Sequence, residues 1–75
     1  MTLFKKRKNN SPALYVSLDK RLEEARRRNE KSFYYPLESK EISNAMAWGI
    51  RNRVAIEADY IMDDKIYYKF YGYAM

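Results

Sequence analysis

Carboxylates are the main side chains of this sequence that could do acid–base chemistry, because the chain has no histidine and no cysteine. Asp63 and Asp64, followed by Lys65, form the one close acidic pair outside segments with a helical pattern. The most common general base and the strongest thiol nucleophile are both missing. Adjacent aspartates beside a lysine are also typical of a solvated turn. The sequence therefore predicts a protein that is not an enzyme.

The absence of histidine and cysteine also limits what could stabilise so short a chain. The usual ligands of zinc and of transition metals are missing, and no disulfide can form. We therefore expect no cofactor. A chain of 75 residues buries a small core. Oligomerisation is the remaining source of extra stability, and a homodimer is expected.

Four consecutive cations, Lys5, Lys6, Arg7 and Lys8, are the strongest charge feature. The net charge is +5, from 15 basic and 10 acidic residues. The rest of the chain is therefore nearly neutral, so any attraction to a polyanion must come largely from this cluster. We expect residues 1–12 to be a flexible basic arm that contacts DNA phosphates.

Tyrosine is unusually frequent, with 8 in the chain. Its ring packs like an apolar group while its hydroxyl stays in water, so it serves cores, protein interfaces and base stacking. Tyr67, Tyr71 and Tyr73 recur at every second or fourth position of a predicted strand and would lie on one side of it. Because tyrosine is enriched at the energetic centres of interfaces, this side could bind a partner protein.

Residues 13–18 alternate between apolar and more polar side chains, which is the pattern of a half-buried strand. The inward side chains would be Leu14, Val16 and Leu18. The outward side chains would be Ala13, Tyr15 and Ser17. Asp19 then resembles the N-cap of a first helix over residues 20–31, which is rich in strong helix formers.

Pro36 separates this helix from a second one, predicted at about residues 39–53 with Ser39 as its cap. The second helix has the clearest apolar stripe of the chain, Ile42, Ala45, Met46, Gly49 and Ile50. Alternation over residues 54–73 predicts a hairpin with Asp63-Asp64-Lys65 as a three-residue loop, which would pair Met62 with Ile66. Its outward side chains would be Ile61, Tyr67, Tyr71 and Tyr73.

The order of basic arm, strand, helix, break and helix resembles the ribbon-helix-helix family of DNA-binding proteins over residues 5–53. The resemblance depends on Ala13-Leu14-Tyr15-Val16-Ser17-Leu18-Asp19 for the strand and on Ser39-Lys40-Glu41-Ile42-Ser43-Asn44-Ala45 for the second helix. It implies an N-terminal strand followed by two helices. Together with the C-terminal β-hairpin predicted from alternation, this gives an α+β fold. The resemblance also implies that two chains pair their strands into a ribbon that enters the major groove.

The resemblance further implies a dimeric regulator of transcription that binds double-stranded DNA. Ala13, Tyr15 and Ser17 would then meet base edges. The backbone N–H groups around Ser39 and Lys40 would bind a phosphate at the helix start. The cations that would follow the DNA backbone are Lys5, Lys6, Arg7 and Lys8.

Two alternatives use the same segments differently. One is a two-layer β-α-β-α-β-β monomer with an extra strand at 32–36, acting as an inhibitor or adaptor of a host or partner protein through Tyr67, Tyr71 and Tyr73. The other, less favoured, is a helix-turn-helix with residues 50–61 as recognition helix and the hairpin as a wing.

In each case the sequence predicts one small domain, residues 13–75, behind the arm. Residues 13–53 would form its strand-helix-helix core and residues 54–75 its hairpin. No apolar run approaches the roughly 18 residues of a membrane span. The basic start also lacks the apolar region that would follow it in a signal peptide. We therefore expect no membrane partner and a cytoplasmic location.

Overall fold

The computed structural model describes residues 12–75, which form a small α+β fold of two helices and a three-stranded antiparallel sheet. Residues 1–11 of the predicted basic arm, with the cations Lys5 to Lys8, lie outside the described residues, and its last residue, Pro12, begins the first helix. In chain order the elements are α1 (Pro12–Arg27), β1 (Ser32–Leu37), a short 3-10 turn (Ser39–Glu41) that leads into α2 (Ile42–Asn52), β2 (Ala55–Met62) and β3 (Lys65–Tyr71).

The predicted N-terminal strand is wrong, because residues 13–18 form the first half of α1. Leu14 and Leu18 are four residues apart, a spacing that suits one face of a strand and one face of a helix equally well. The helical stripe continues through two further buried residues, Leu22 and Ala25. Val16, which a strand would have buried, is 52 % exposed.

Asn29 sets the end of α1, which stops at Arg27 and not at the predicted Lys31. Its backbone is left-handed, with φ of 59°. The Asn29 N–H donates to the Arg26 carbonyl at 3.1 Å, and the Glu30 N–H donates to the Ala25 carbonyl at 2.8 Å. This pair of bonds is the Schellman motif, and asparagine tolerates its left-handed position better than most residues do.

The second helix lies where its apolar stripe predicted it. Glu38, and not Ser39, is the N-cap of the 3-10 turn that precedes it. Arg53 ends α2 in the left-handed conformation, with φ of 60°. The Val54 N–H then donates to the Gly49 carbonyl at 2.8 Å, which directs the chain straight into β2.

β3 is the central strand of the sheet, whose order is β1-β3-β2 with antiparallel pairing on both sides. Phe70 faces Phe33 of β1 on one side and Ile56 of β2 on the other. The predicted hairpin is therefore confirmed as β2 and β3. The helix-turn-helix alternative is wrong, since residues 55–61 are strand.

The loop and register of this hairpin differ from the prediction. The turn has two residues, Asp63 and Asp64, with φ of 53° and 63°, and it pairs Met62 with Lys65. Two successive positive φ values match the type I′ turn that joins tightly paired strands. Such turns usually contain glycine, so two aspartates did not indicate a two-residue turn in the sequence.

A β-bulge at Asp59 reconciles the short turn with a continuous apolar face. Ala58 faces Tyr68 and Tyr60 faces Tyr67, so β2 has one extra residue between two consecutive residues of β3. The extra residue reverses the side of the sheet to which alternate residues of β2 point. As a result, Ile61 beyond the bulge and Ile56 and Ala58 before it share the side that faces the helices.

Both helices pack on the same side of the sheet, and every helix and strand contributes to the core except β2, whose Ile56 packs against it half-buried. The buried apolar residues are Leu14, Leu18, Leu22, Ala25, Phe33, Leu37, Ala45, Trp48, Val54, Tyr68, Phe70 and Tyr73. The Trp48 indole N–H donates to Asp19 at 2.8 Å and so joins α2 to α1. The fold is thus a two-layer αβαββ arrangement. Both predicted folds began with a strand at residues 13–18, and the structure has a helix there.

Candidate functional site

The sheet side opposite the helices is its most distinctive surface, and we call it the open face. No element among residues 12–75 covers it. Its larger side chains come from all three strands. They are Tyr34 of β1, Glu57, Asp59, Tyr60 and Met62 of β2, and Lys65, Tyr67, Lys69 and Tyr71 of β3.

Tyr34, Tyr60 and Tyr67 form a tyrosine cluster at the centre of the open face. The rings of Tyr60 and Tyr67 are stacked, with centroids 5.0 Å apart and planes 2° from parallel. The ring of Tyr34 meets Tyr60 edge to face at 5.4 Å. Tyr34 and Tyr60 remain 43 % and 40 % exposed. Three side chains from three strands are therefore held in a fixed arrangement at the surface.

Two carboxylates of β2 hold tyrosine hydroxyls beside the cluster. Tyr71 donates to Glu57 at 2.9 Å. This hydrogen bond is the main reason that the pKa of Tyr71 is raised, followed by desolvation. A hydrogen bond to Asp59, followed by the charge of the same carboxylate, likewise raises the pKa of Tyr34. The two hydrogen bonds thus orient both phenols, and each phenol keeps its proton to a higher pH than an ordinary tyrosine.

The open face is close to neutral. Glu57 and Asp59 supply two negative charges, and Lys65 and Lys69 supply two positive ones. The ammonium group of Lys69 also lies 5.4 Å from the centre of the Tyr71 ring, where a cation–π contact holds it. A surface without net charge has no electrostatic preference for a phosphate backbone.

The open face includes some of the predicted tyrosines but not all. It brings Tyr67 and Tyr71 together, as the alternation of β3 predicted. Tyr73 was wrongly placed there, because it lies beyond the strand and is only 6 % exposed. Its hydroxyl donates to the Glu30 carbonyl at 2.7 Å, and its ring lies 5.9 Å from that of Phe33.

Sequence reasoning missed Tyr34 and Tyr60. Tyr34 had a usable signal, because it alternates with the apolar residues of the segment 32–37. Tyr60 had none, since only the bulge at Asp59 turns it away from the helices.

The residues predicted to read DNA bases do not form a ribbon. Ala13, Tyr15 and Ser17 lie on α1, where side chains two residues apart point to nearly opposite sides of the helix. Tyr15 is half-buried, and its hydroxyl donates to Asn44 of α2 at 3.3 Å.

Acidic groups surround the predicted phosphate site at the start of the second helix. Ser39 and Lys40 lie in the 3-10 turn between Glu38 and Glu41. The Glu38 N–H donates to the Glu41 carboxylate at 2.9 Å. Lys40 lies 3.7 Å from the Glu38 carboxylate. The chain's own carboxylates therefore occupy the positions that favour an anion.

Asp63 and Asp64, the acidic pair with possible chemistry, form the hairpin turn. Among residues 12–75 no group of three or more histidine, cysteine, aspartate or glutamate residues is placed to hold a metal ion. No helix in the same part of the chain has the length and apolar content to cross a membrane. No family model matches the chain, and no curated protein or solved structure shows significant similarity to it.

Proposed function

We propose that the protein is a non-enzymatic interaction module that binds a partner protein through the open face. The observation that carries the proposal is the tyrosine cluster, Tyr34, Tyr60 and Tyr67, held by ring contacts on a sheet surface that nothing in residues 12–75 covers. Exposed aromatic side chains with a polar end are typical anchors of protein interfaces.

The packing of the cluster favours a protein over a nucleic acid. Stacking lets a base bind only where a ring surface is free. Tyr60 and Tyr67 stack on one another, and Tyr34 and Tyr60 meet edge to face. What remains exposed is an ordered apolar surface edged by hydroxyls. Because these rings are already fixed, binding a protein costs little further side-chain entropy.

The size of the open face indicates the kind of complex. Three strands of about seven residues cover an area about 15 Å by 23 Å. This is below the roughly 800 Å² that each partner contributes to a standard interface. We therefore expect a reversible complex with a partner that offers a flat apolar patch bordered by hydrogen-bonding groups.

A retention experiment tests the proposal. The full chain is immobilised, and the proteins retained from lysate of its source cells are compared with those retained by Tyr60→Ala plus Tyr67→Ala. The partner, once purified, should bind the double variant at least about tenfold more weakly, as expected when two interface anchors are lost.

The matched control removes exposed apolar groups from the helix side, through Val16→Ala plus Ile50→Ala. Both residues are exposed and lie on α1 and α2. Equal binding of the partner to wild type, control and cluster variant would rule out the open face as the binding site.

We propose DNA binding as a second function, carried by the basic arm and not by a ribbon. The supporting observation is that Lys5, Lys6, Arg7 and Lys8 supply four charges to a chain whose net charge is +5. Affinity for duplex DNA is measured at two salt concentrations, with and without alanine at these four positions. The wild-type affinity should fall steeply with salt, and the alanine variant should lose this dependence. If the affinities of wild type and variant depended equally on salt, DNA binding by these four residues would be ruled out.

The predicted homodimer also stays a prediction. The strand pairing of residues 13–18 between two chains, which the family resemblance implied, does not hold for a helix. The small size of the core remains as an argument for a homodimer. The mass of the protein in solution decides between one copy and two.

A further inference from the structure

A cleft lies at the end of the sheet where β1 leaves β3 and the hairpin continues beyond it. Its volume is about 520 Å³. Pro36 and Ile66 provide apolar surface, and Ile66 is partly exposed. The neighbouring Ile61, which faces Ile66 across the hairpin, is 72 % exposed. Exposed aliphatic side chains beside a concave surface are suited to bind an apolar anchor.

The rim of the cleft is acidic. Four carboxylates line it, from Glu38, Glu41, Asp63 and Asp64. Lys65 is the one basic residue among its lining. Glu41 is engaged by the Glu38 N–H, and Glu38 lies near Lys40, whereas the two aspartates project from an exposed turn. A ligand with several positive charges and an apolar group would complement this surface.

The start of α1 lies at the same end of the molecule as the cleft. Tyr15 contacts Asn44 near the beginning of α2, and α2 begins next to the 3-10 turn that borders the cleft. At the other end of α1, Arg26 donates to the Ala74 carbonyl beyond β3. Pro12, where α1 begins, therefore lies on the side of the cleft.

The sequence before Pro12 has the complementary chemistry. Residues 1–11 lie outside the described residues, and they read Met-Thr-Leu-Phe-Lys-Lys-Arg-Lys-Asn-Asn-Ser. Two apolar side chains, Leu3 and Phe4, directly precede the four cations. Leu3 lies nine positions before Pro12, enough to reach about 30 Å. A tethered ligand of this kind meets its site at a high effective concentration.

We propose that the cleft binds the segment Leu3–Lys8 of the same chain. The cations of the segment pair with Asp63 and Asp64, and Leu3 or Phe4 packs against Pro36 and Ile66. Binding in the cleft and binding to an external polyanion then exclude one another, because both use the same cations. The cleft thereby regulates how available the basic arm is.

Limited trypsin digestion of the full chain tests the proposal, because trypsin cleaves after lysine and arginine. The test variant is Asp63→Asn plus Asp64→Asn, which removes both charges but keeps residues that tolerate a positive φ. Cleavage at Lys5–Lys8 should be roughly threefold faster in this variant than in wild type, as expected for the loss of exposed ion pairs. High salt should speed wild-type cleavage by a similar factor.

The matched control, Glu23→Gln plus Glu24→Gln on α1, changes the net charge equally but away from the cleft. Cleavage after exposed Lys31 is the internal reference for the stability of the fold. Equal rates at Lys5–Lys8 in wild type, test variant and control would overturn the proposal. Protection that increases with protein concentration would also overturn it, since the site would then bind a second copy. Neither result bears on the open face, whose variants are different.

Discussion

At the scale of single residues, Gly49 shows how closely α2 and β2 approach. A Cβ atom at this position would lie 2.8 Å from the Val54 carbonyl oxygen and 2.9 Å from Cδ1 of Ile56. The first of these neighbours is backbone and cannot rotate away. The close approach of the Val54 backbone therefore explains why a glycine stands within the apolar stripe of α2.

We predict that Gly49→Ala destabilises the protein. Alanine favours a helix by about 1 kcal/mol over glycine, but overpacking of this kind costs about 1–3 kcal/mol. Because the obstructing atom is backbone, we expect a net loss of about 1 kcal/mol or more. Urea unfolding followed by Trp48 fluorescence measures it. The exposed substitution Ser43→Ala should leave stability within about 0.5 kcal/mol, and a more stable Gly49→Ala protein would contradict the prediction.

The hydroxyl of Tyr34 provides a prediction about pH. Its pKa is raised first by the hydrogen bond to Asp59 and then by the charge of that carboxylate. A folded pKa above the unfolded value stabilises the fold fully below pH about 10. This stabilisation is lost as the pH rises through the folded pKa, because the unfolded chain releases the proton first.

In Asp59→Asn the pKa of Tyr34 should therefore fall towards its ordinary value. Ultraviolet titration of tyrosinate should show one tyrosine ionising at lower pH than in wild type. Glu23→Gln removes a carboxylate far from Tyr34 and should leave the titration unchanged. Identical curves for wild type and Asp59→Asn would show that this contact does not hold the phenol.

At the scale of elements, the two helices differ in how well the sequence predicted them. The stripe of α2 includes residues three, four, seven and eight apart, a combination that only a helix explains. The start of α1 offers Leu14, Val16 and Leu18, which alternate over too few residues to exclude a strand. The decisive residues, Leu22 and Ala25, lie among charged residues that made the stripe look thin.

The bulge at Asp59 could not be predicted, since alternation over β2 is compatible with several registers. We predict that deleting Asp59 leaves the fold intact. Ala58 and Tyr60 would then follow one another in a regular ladder opposite Tyr68 and Tyr67. Deleting Glu57 instead should turn Ile56 towards the open face and remove its contact with the core.

The free energy of unfolding of the two deletion variants tests this difference. We expect the Glu57 deletion to lose at least about 2 kcal/mol more than the Asp59 deletion, the range for removal of a packed aliphatic side chain. Equal losses of unfolding free energy would mean that the stability of the sheet depends on the bulge itself and not on the side to which Ile56 points.

At the scale of the whole molecule, residues after β3 close the core at the end of α1. Tyr73 packs near Phe33 and donates to the Glu30 carbonyl, and Arg26 donates to the Ala74 carbonyl at 2.9 Å. Desolvation is the main cause that raises the pKa of Tyr73. Tyr73, which follows the sheet, is therefore part of the core.

We predict that Tyr73→Phe lowers stability by about 1 kcal/mol through the lost hydrogen bond, and that Tyr73→Ala lowers it by about 3–5 kcal/mol through the cavity. Tyr67→Phe, which removes a hydroxyl from the open face, should change stability by less than about 0.5 kcal/mol. Thermal unfolding of the three variants gives the comparison. An equal effect of Tyr73→Phe and Tyr67→Phe would contradict the buried role of Tyr73.

Half of the open-face tyrosines could be predicted from the sequence. Tyr67 and Tyr71 follow from alternation within one strand, which is a local property. Their neighbours Tyr34 and Tyr60 come from strands far apart in sequence, and only the order β1-β3-β2 brings them together. No local pattern encodes that order.

The same order constrains how the chain can fold during synthesis. β1 and β2 do not pair with each other, and each finds its hydrogen-bonding partner only in β3. A ribosome that has released everything up to Asp64 has thus produced two strands with no sheet. Until Lys65–Tyr71 emerges, the nascent chain exposes Phe33 and Leu37 to chaperones and to neighbouring chains.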